Sequence, residues 1–534
     1  MTTFATPQNL VVNNFLGLRT RDVKTAVNDG SISAEIAVNV ELEPSDDNSG
    51  IDLRTTLGNV VMLHLQQSSE VTNPRIVDIF ESEQDGVKYL MIYFIDAEKG
   101  GCLACYDPTI NFIEIVAENL LERSVCNGIT MRSTAYDVFI FTNGEEYYSY
   151  SKSSDTPLIK LNPVYDGKPI KGLPLAEYKS SLVIGGEDGV VLASRQGDVT
   201  DWTYDDIDGT KAWYQLFYKK ITALVPYIDG MLVFTQNDSV VLSGNMSSAS
   251  EAQRSSASIG GCYNHKSWVL HDKYVFFYDN NQKNIYYYLQ NDIGEKVLGQ
   301  PVANEIQNLL TDVKDMSFTS FIGDNKSEIW LRIVDSFGEA RVIVYNYIYG
   351  EYVERKMNPI HGVKTYNFKV ITFDDTKIFE ERAKTAINCV FDGQYIPARY
   401  KTPYLTFGSY SNLKEMDIKP LITYGKSYNN SFGITFFNNK KNKYKRIDLY
   451  QGLDFTWGSV TPQNVNTPER ELWDFGVFPD EESKDVGTVK AKAPSSFYYL
   501  GFEVFTEKMG DDFCIKQVEF KELTFETDTI GARW

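Results

Sequence analysis

Histidine is scarce in this chain: His64, His265, His271 and His361 are the only four, and none stands in an HxH or HxxxH pattern. A site built on paired imidazoles is therefore not expected. Cysteine is nearly as thin, with Cys102, Cys105, Cys126, Cys262, Cys389 and Cys514 spread over 534 residues. The even count permits disulfides, but such sparse cysteines in a reducing compartment read as buried thiols. Cys102-Leu-Ala-Cys105 has the spacing of half a zinc site, yet no second Cys or His pair follows at ligand distance. On a strand, positions i and i+3 also face opposite ways. Metal ligands and cofactors are expected to be none.

Long apolar runs are missing too, and nothing approaches the roughly 20 residues of a membrane helix. The opening Met1-Thr-Thr-Phe-Ala-Thr-Pro-Gln-Asn9 has neither a basic n-region nor an apolar h-region. No membrane anchor is expected, and synthesis and retention in the cytoplasm are. Positive charge is in deficit, with 52 Lys+Arg against 72 Asp+Glu, a formal net charge of −20. That balance argues against general affinity for phosphate backbones or for anionic membrane surfaces.

What is abundant is aromatic: 34 Tyr and 31 Phe, in a chain 43% hydrophobic and 23% charged. Those are proportions of a folded globular chain, and aromatics favour strands. The length asks for two or more domains.

From about residue 75 to 360 the chain falls into units of roughly 45–50 residues, each a series of short aromatic or β-branched runs. The first unit holds Arg75-Ile-Val-Asp-Ile-Phe80, Tyr89-Leu-Met-Ile-Tyr-Phe-Ile95, Cys102-Leu-Ala-Cys-Tyr106 and Phe112-Ile-Glu-Ile-Val116. Further units begin near positions 128, 175, 221, 267 and 317, with hairpin dipeptides such as Asn143-Gly144 between runs. A repeat of that length with about four strands predicts a β-propeller blade. The predicted fold is all-β: a propeller of six blades, with seven as the alternative, followed by a C-terminal β-sandwich. The expected divisions are 1–74, an N-terminal arm with ring-closing strands; 75–360, the propeller; 361–402, a closing or connecting segment; and 403–534, the sandwich. An early strand such as Ile36–Leu42 precedes the first complete unit, which predicts that the N-terminal region lends a strand to a late blade. Helical interruptions are expected at Ala117–Arg123 and Val302–Leu310, and an exposed acidic loop at Glu469–Lys490.

Propellers can carry glycosidase chemistry, which needs two carboxylates about 5–9.5 Å apart. The expected inner strands offer Asp78 and Glu177, whereas Gly128–Met131, Ile221–Tyr227 and Ser267–Leu270 carry no carboxylate. Acidic residues gather instead in turns such as Glu43–Asp47, Asp205–Asp208 and Asp480–Asp485. Ser194-Arg-Gln-Gly-Asp-Val-Thr-Asp-Trp202 has some likeness to a sialidase Asp-box, but Gln196 replaces its Asp and the spacing departs. A blade-edge turn anchored by Trp202 is the better reading. Gly185-Gly-Glu-Asp-Gly189 lacks the Lys-Ser of a phosphate loop, and no Gly-x-Ser-x-Gly elbow occurs. No catalytic residue is expected. One basic run, Lys440-Lys-Asn-Lys-Tyr-Lys-Arg446, reads as a hairpin tip. Its Lys440, Lys441, Lys443, Lys445 and Arg446 are candidate partner-binding residues, with inert surface, a protein neighbour and nucleic acid as the three readings.

Several segments in order resemble the tail stabilisation or nozzle (tail hub) proteins of short-tailed bacteriophages. They are Asn14-Phe-Leu-Gly-Leu18, Ala37-Val-Asn-Val-Glu-Leu42 and Leu53-Arg-Thr-Thr-Leu-Gly58, where Thr55 stands in place of the family's usual Pro. Val191–Trp202, Leu232–Gly244, Ile259-Gly-Gly-Cys-Tyr-Asn-His-Lys-Ser-Trp268, Tyr274–Tyr278, Val344–Asn346, Gly350–Val353 and Tyr404–Gly408 continue the series. The resemblance implies a virion tail protein, assembled in the host cytoplasm as a homo-oligomer, a hexamer, below the portal and adaptor ring. Its implied partners are tail fibres, spikes or a needle. Packaged DNA would be retained and then passed through without specific binding. A carbohydrate-binding or glycoside-hydrolysing propeller is the alternative.

Overall fold

The computed structural model describes residues 3–527 apart from 5–7, 20–30, 46–49, 68–70, 134–135, 205–210, 228–229, 245–252, 257–259, 290–299, 324, 358–359, 406, 408–412, 417, 426, 428–429, 439–440 and 449–486. It is almost wholly β, and it divides into two compact units. One comprises Asn59–Gly350 with Met357–Ala383; the other comprises Met1–Gly58, Glu351–Lys356 and Lys384–Trp534.

The first of these is the expected β-propeller. Arg75–Gln84, Val87–Asp96, Gly100–Asp107 and Phe112–Leu120 make blade 1, an antiparallel meander. Blade 2 begins at Asn127–Arg132, blade 3 at Leu175–Tyr178, blade 4 at Ile221–Tyr227 and blade 5 at Trp268–His271, each with three further strands. The sixth unit gives Val313–Gly323, Lys326–Asp335 and Ala340–Asn346. Each of the six units read from the sequence thus corresponds to one sheet. A further four-stranded sheet follows, from Gly362–Tyr366, Lys369–Phe373 and Lys377–Glu381, and it completes a ring of seven positions.

The fourth strand of that last blade is Asn59–His64, from the N-terminal region, antiparallel to Lys377–Glu381. This is the lent strand that the sequence predicts, supplied by residues 59–64. The join is pinned by Glu381 (buried), which accepts from Asn59 Nδ2 at 2.9 Å and from Thr372 Oγ1 at 2.7 Å.

Blade interiors explain why the second strands read as continuous apolar runs. Leu90, Ile92 and Phe94 pack with Ile371, Phe373 and Ile378 of the last blade, while Met91 and Tyr93 pack with Phe139 and Phe141 of blade 2. Likewise Met231 and Val233 face blade 3, and Leu232 and Phe234 face blade 5. Side chains alternate across a strand, so a strand covered on both faces must be apolar at every position.

Two sequence expectations about helices part ways here. Residues 117–120 extend the strand Phe112–Leu120, paired to Gly100–Asp107, so the helix expected at Ala117–Arg123 is absent. Ala117 and Leu120 are buried in a sheet core, and pairing with the neighbouring strand overrides helical propensity. At Val302–Leu310 the helical reading holds in a tighter form, a 3-10 segment Asn304–Leu310 that buries Ile306 and Leu310.

Among the described residues of the second unit, two large sheets stand beside a small hairpin of Val390–Phe391 and Gln394–Tyr395. In one, the long strand Cys514–Thr527 pairs with Gln8–Val12, Ile51–Thr55, Lys414–Met416 and Leu421–Tyr424. In the other, Arg399–Lys401 lies between Ile36–Val38 and Gly501–Phe505, and Ser431–Phe437 and Asn442–Asp448 follow. Aromatic contacts join the sheets, Phe15 to Tyr400 at 5.7 Å and Phe436 to Phe520 at 6.0 Å. The sandwich expected for 403–534 is therefore no separate C-terminal body: strands from the first 58 residues are built into both sheets. The expected cuts after 74 and 402 do not match these units. Of the acidic loop expected at Glu469–Lys490, residues 469–486 lie outside the described residues, and Gly487–Lys490 is a strand paired to Leu421–Tyr424.

Candidate functional site

The inner strands of blades 1 and 6 each contain a β-bulge. Tyr93 pairs with Asp78 but Phe94 with Ile76, so Val77 is the extra residue; Val334 pairs with Asp315 but Asp335 with Val313, so Lys314 is. A bulge re-aims the side chain beside it. In both strands the next residue is an aspartate, Asp78 or Asp315.

Asp78 is buried and lies between two lysines. Its Oδ2 is 2.7 Å from Lys266 Nζ and its Oδ1 is 3.2 Å from Lys364 Nζ, while Oδ1 accepts the Ile79 N–H at 2.9 Å. Burial pushes the carboxyl pKa up, but the charges of Lys266 and Lys364 outweigh it and hold Asp78 below the ordinary carboxylate range. Lys364 stands on the first strand of the last blade, also 4.9 Å over the Phe80 ring. Lys266 comes from the segment before blade 5.

That segment, residues 260–267, crosses the middle of the ring. Cys262 N–H donates to Thr235 O of blade 4 at 3.2 Å, and Tyr263 N–H to Tyr278 O of blade 5 at 3.0 Å. Tyr263 OH donates to Lys314 O of blade 6 at 2.6 Å, and Phe318 N–H donates to Lys266 O at 2.9 Å. His265 Nε2 is 3.1 Å from Cys126 O, just before blade 2. With Asp78 of blade 1, four blades bond this one short segment, joined by Cys126 from the link before blade 2, and Asp78 brings in Lys364 of the last blade. Blades on different sides of a ring can converge only near its axis.

The chain approach requires small residues at the entrance. A Cβ on Gly261 would lie 2.2 Å from Gln236 backbone atoms, and one on Gly260 would lie 1.8 Å from Asp279 Oδ2. Inside the segment, Ser267 Oγ accepts the Asn264 N–H at 2.8 Å and Asn264 Oδ1 accepts the Lys266 N–H at 2.8 Å. Nearby, Arg332 Nη1 is 3.2 Å from Asp315 Oδ2, and its Nε donates to Ile360 O at 3.0 Å. Lys266, Lys364 and Arg332 thus stand with Asp78 and Asp315 in two neighbouring ion-paired groups.

His265 is held down to about 3, first by burial and then by the adjacent Lys266 charge. An unfolded histidine titrates near 6.5. A folded pKa below the unfolded one means stability that is complete above about 6.5 and lost as pH falls toward about 3. We expect melting of the propeller to drop between neutral pH and pH 4, with His265 contributing at most about 3 kcal/mol. Thermal melts of wild type and His265→Gln across that range check this. An equally steep fall in the variant would remove His265 as a cause; burial also lowers His271, whose share remains in both.

The other sequence candidates fall elsewhere. Glu177, on the first strand of blade 3, has its carboxyl pushed up by burial alone. Residues 194–202 form a turn in which Asp198 Oδ1 accepts the Thr200 N–H at 2.9 Å, with Trp202 in the core shared by blades 2 and 3. Cys102 and Cys105 sit on opposite faces of their strand, in two different cores, and burial pushes their thiols up to about 11 and about 12. All six cysteines are free and buried.

Lys440 lies outside the described residues, as do Asp205–Asp208 and Asp480–Asp485. Lys441, Lys443, Lys445 and Arg446 belong to the other compact unit, where Ser431–Phe437 and Asn442–Asp448 form the expected hairpin. Lys441 and Lys443 are exposed, and Lys445 Nζ reaches Lys490 O. Arg446 is committed internally: its guanidinium takes both oxygens of buried Asp511 at 2.6 Å and reaches Glu507 at 2.7 Å. Sequence reasoning found Asp78 but missed Lys266, Lys364 and His265. The available signal was the His265-Lys266 pair, separated by two residues from Gly260-Gly-Cys262 and just before the first strand of blade 5.

No family model matches the chain, and no curated protein matches it in sequence. Among solved structures it is similar to one described as BBS1N in complex with ARL6DN, with 14% identity and a TM-score of 0.38, covering 62% of this chain and 98% of that one. It is also similar to the computationally designed Ika8 protein (10% identity, TM-score 0.35, covering 60% and 99%) and to a chain of the Mitotic Checkpoint Complex (9%, 0.37, covering 61% and 90%). At these values the likenesses carry no argument about function. What the chain has is a β-propeller fold.

Proposed function

We propose that this chain is a structural subunit of the tail nozzle of a short-tailed bacteriophage, without catalytic activity of its own. In this reading six copies form a ring below the portal and adaptor, anchor fibres or spikes, retain packaged DNA and conduct it at ejection. The observation that supports it is the ring's centre. Where a propeller glycosidase needs an open pair of carboxylates, Asp78 is sandwiched between Lys266 and Lys364, under a segment bonded to blades 1, 4, 5 and 6. A carboxylate held ionised in that way is a poor proton donor. The propeller itself is suited to load-bearing, because its sheets leave only short, protected edges, and cyclic symmetry assembles such blocks into closed rings.

Electron microscopy of the purified protein tests the proposal. A six-fold ring with a central hole is expected; isolated monomers at high concentration would count against it. The alternative, a carbohydrate-active propeller, draws on Glu177, whose raised pKa suits a general acid. Turnover of chromogenic glycosides that disappears in Glu177→Ala would favour it instead.

A further inference from the structure

We propose that residues 260–267 are an axial plug whose order depends on closure of the ring, with Asp78 as the latch that couples the two. The ring closes between the last blade and blade 1, because that is where the strand from residues 59–64 is added. Around the apolar core that blade 1 shares with the last blade, the seam carries polar contacts: Ile76 N–H donates to Asp375 O at 2.7 Å, Tyr366 OH donates to Lys88 O at 2.9 Å, Asn367 N–H donates to Glu81 Oε2, and Lys88 Nζ lies 4.2 Å over the Phe368 ring. Asp78 adds the ion pair to Lys364 across the same seam, and its second oxygen holds Lys266 of the plug. One buried carboxylate thus belongs to the seam and to the plug at once.

The shared carboxylate couples the two. If the seam opens, Asp78 is separated from Lys364 and is hydrated, so its hold on Lys266 weakens to that of an exposed pair. If the plug leaves, a buried carboxylate loses one of its two cations. Besides Asp78, the plug is held toward blade 6 by Tyr263 OH on Lys314 O at 2.6 Å and Asn264 Nδ2 on Asp315 Oδ1 at 3.4 Å, neither of which spans the seam. Its backbone bonds to Thr235 and Tyr278 lie at its entrance, and its inner end is held by Lys266, the Phe318 N–H and the contact of His265 with Cys126 O.

Hydrogen exchange read by mass spectrometry on the full chain at neutral pH provides the test. In Asp78→Asn, peptides covering 260–267 are expected to exchange about tenfold faster or more, as local opening becomes easier. Peptides from the middle of blade 3, residues 182–192, are expected to be unchanged. Lys266→Gln keeps the Asp78–Lys364 pair, so it should free the plug and raise exchange of residues 362–366 far less than Lys364→Gln does. Lys364→Gln should raise exchange at both places. Wild-type protection of 260–267 in either Asp78→Asn or Lys266→Gln would overturn the proposal. Should Asp78→Asn fail to fold, Lys266→Gln decides alone. Faster exchange of the plug in Lys266→Gln but not in Lys364→Gln would also overturn it, leaving a plug independent of the seam.

Discussion

Proline at both Val60 and Val61 is expected to unfold the propeller, or to lower its stability by about 3 kcal/mol or more. Adjacent residues of an antiparallel strand alternate between hydrogen-bonded and non-hydrogen-bonded pairs, so one of the two prolines must remove a ladder bond to Lys377–Glu381. The two valine side chains are 38% and 41% exposed and contribute little burial, which makes the backbone the target. The loss exceeds one hydrogen bond, because the strand is the only covalently distant piece in its blade. Without it the outer strand of the last blade is an unpaired edge, and the core of Leu65, Ile371, Phe373 and Ile378 is opened beside blade 1. Thermal melting followed by circular dichroism reads the effect. Threonine at the same positions, which keeps the N–H and the β-branched shape, should melt close to wild type. A proline variant that melts with it would show that the ring does not depend on this closure.

Arg446→Ala is expected to destabilise the second compact unit by about 3–5 kcal/mol, the cost of leaving a buried carboxylate without its cation. Asp511 is 1% exposed. Burial pushes its carboxyl up, but the hydrogen bonds from Arg446 and from the Glu507 and Lys508 N–H groups hold it below the ordinary range. By contrast, Lys441→Glu with Lys443→Glu should change stability by no more than about 0.5 kcal/mol, as for exposed positions generally. Denaturant titration of the three proteins separates the cases. Equal midpoints for Arg446→Ala and wild type would show the pair to be dispensable. The contrast also determines how a partner must be sought. Loss of binding on replacing Arg446 could come from lost folding, whereas Lys441 and Lys443 can be changed cleanly. Lysines on an edge strand have a simpler role too, since they discourage sheet-to-sheet aggregation, and Asn442–Asp448 is the last strand of its sheet.

The sequence by itself determined the local pattern. Aromatic and β-branched runs at a regular step, separated by hairpin dipeptides, gave the blade as a unit, because strand alternation and turn chemistry act over a few residues. The starts read near 75, 128, 175, 221, 267 and 317 fall beside strands beginning at Arg75, Asn127, Leu175, Ile221, Trp268 and Val313. Asp78 was also legible as an inner-strand carboxylate. Its meaning was not. An aspartate reads alike whether it faces water, a sugar or two lysines, and its partners stand 188 and 286 positions further along the chain. The same limit hid the last blade, whose fourth strand comes from residues 59–64, and the second unit, which joins the first 58 residues to the last 150 or so. Arg446 looked like a free member of a basic run until the fold brought Asp511 against it. In each case the deciding contact is long-range. Only ring closure and sheet pairing bring such groups together, and only their shared burial turns a charged residue into a structural one.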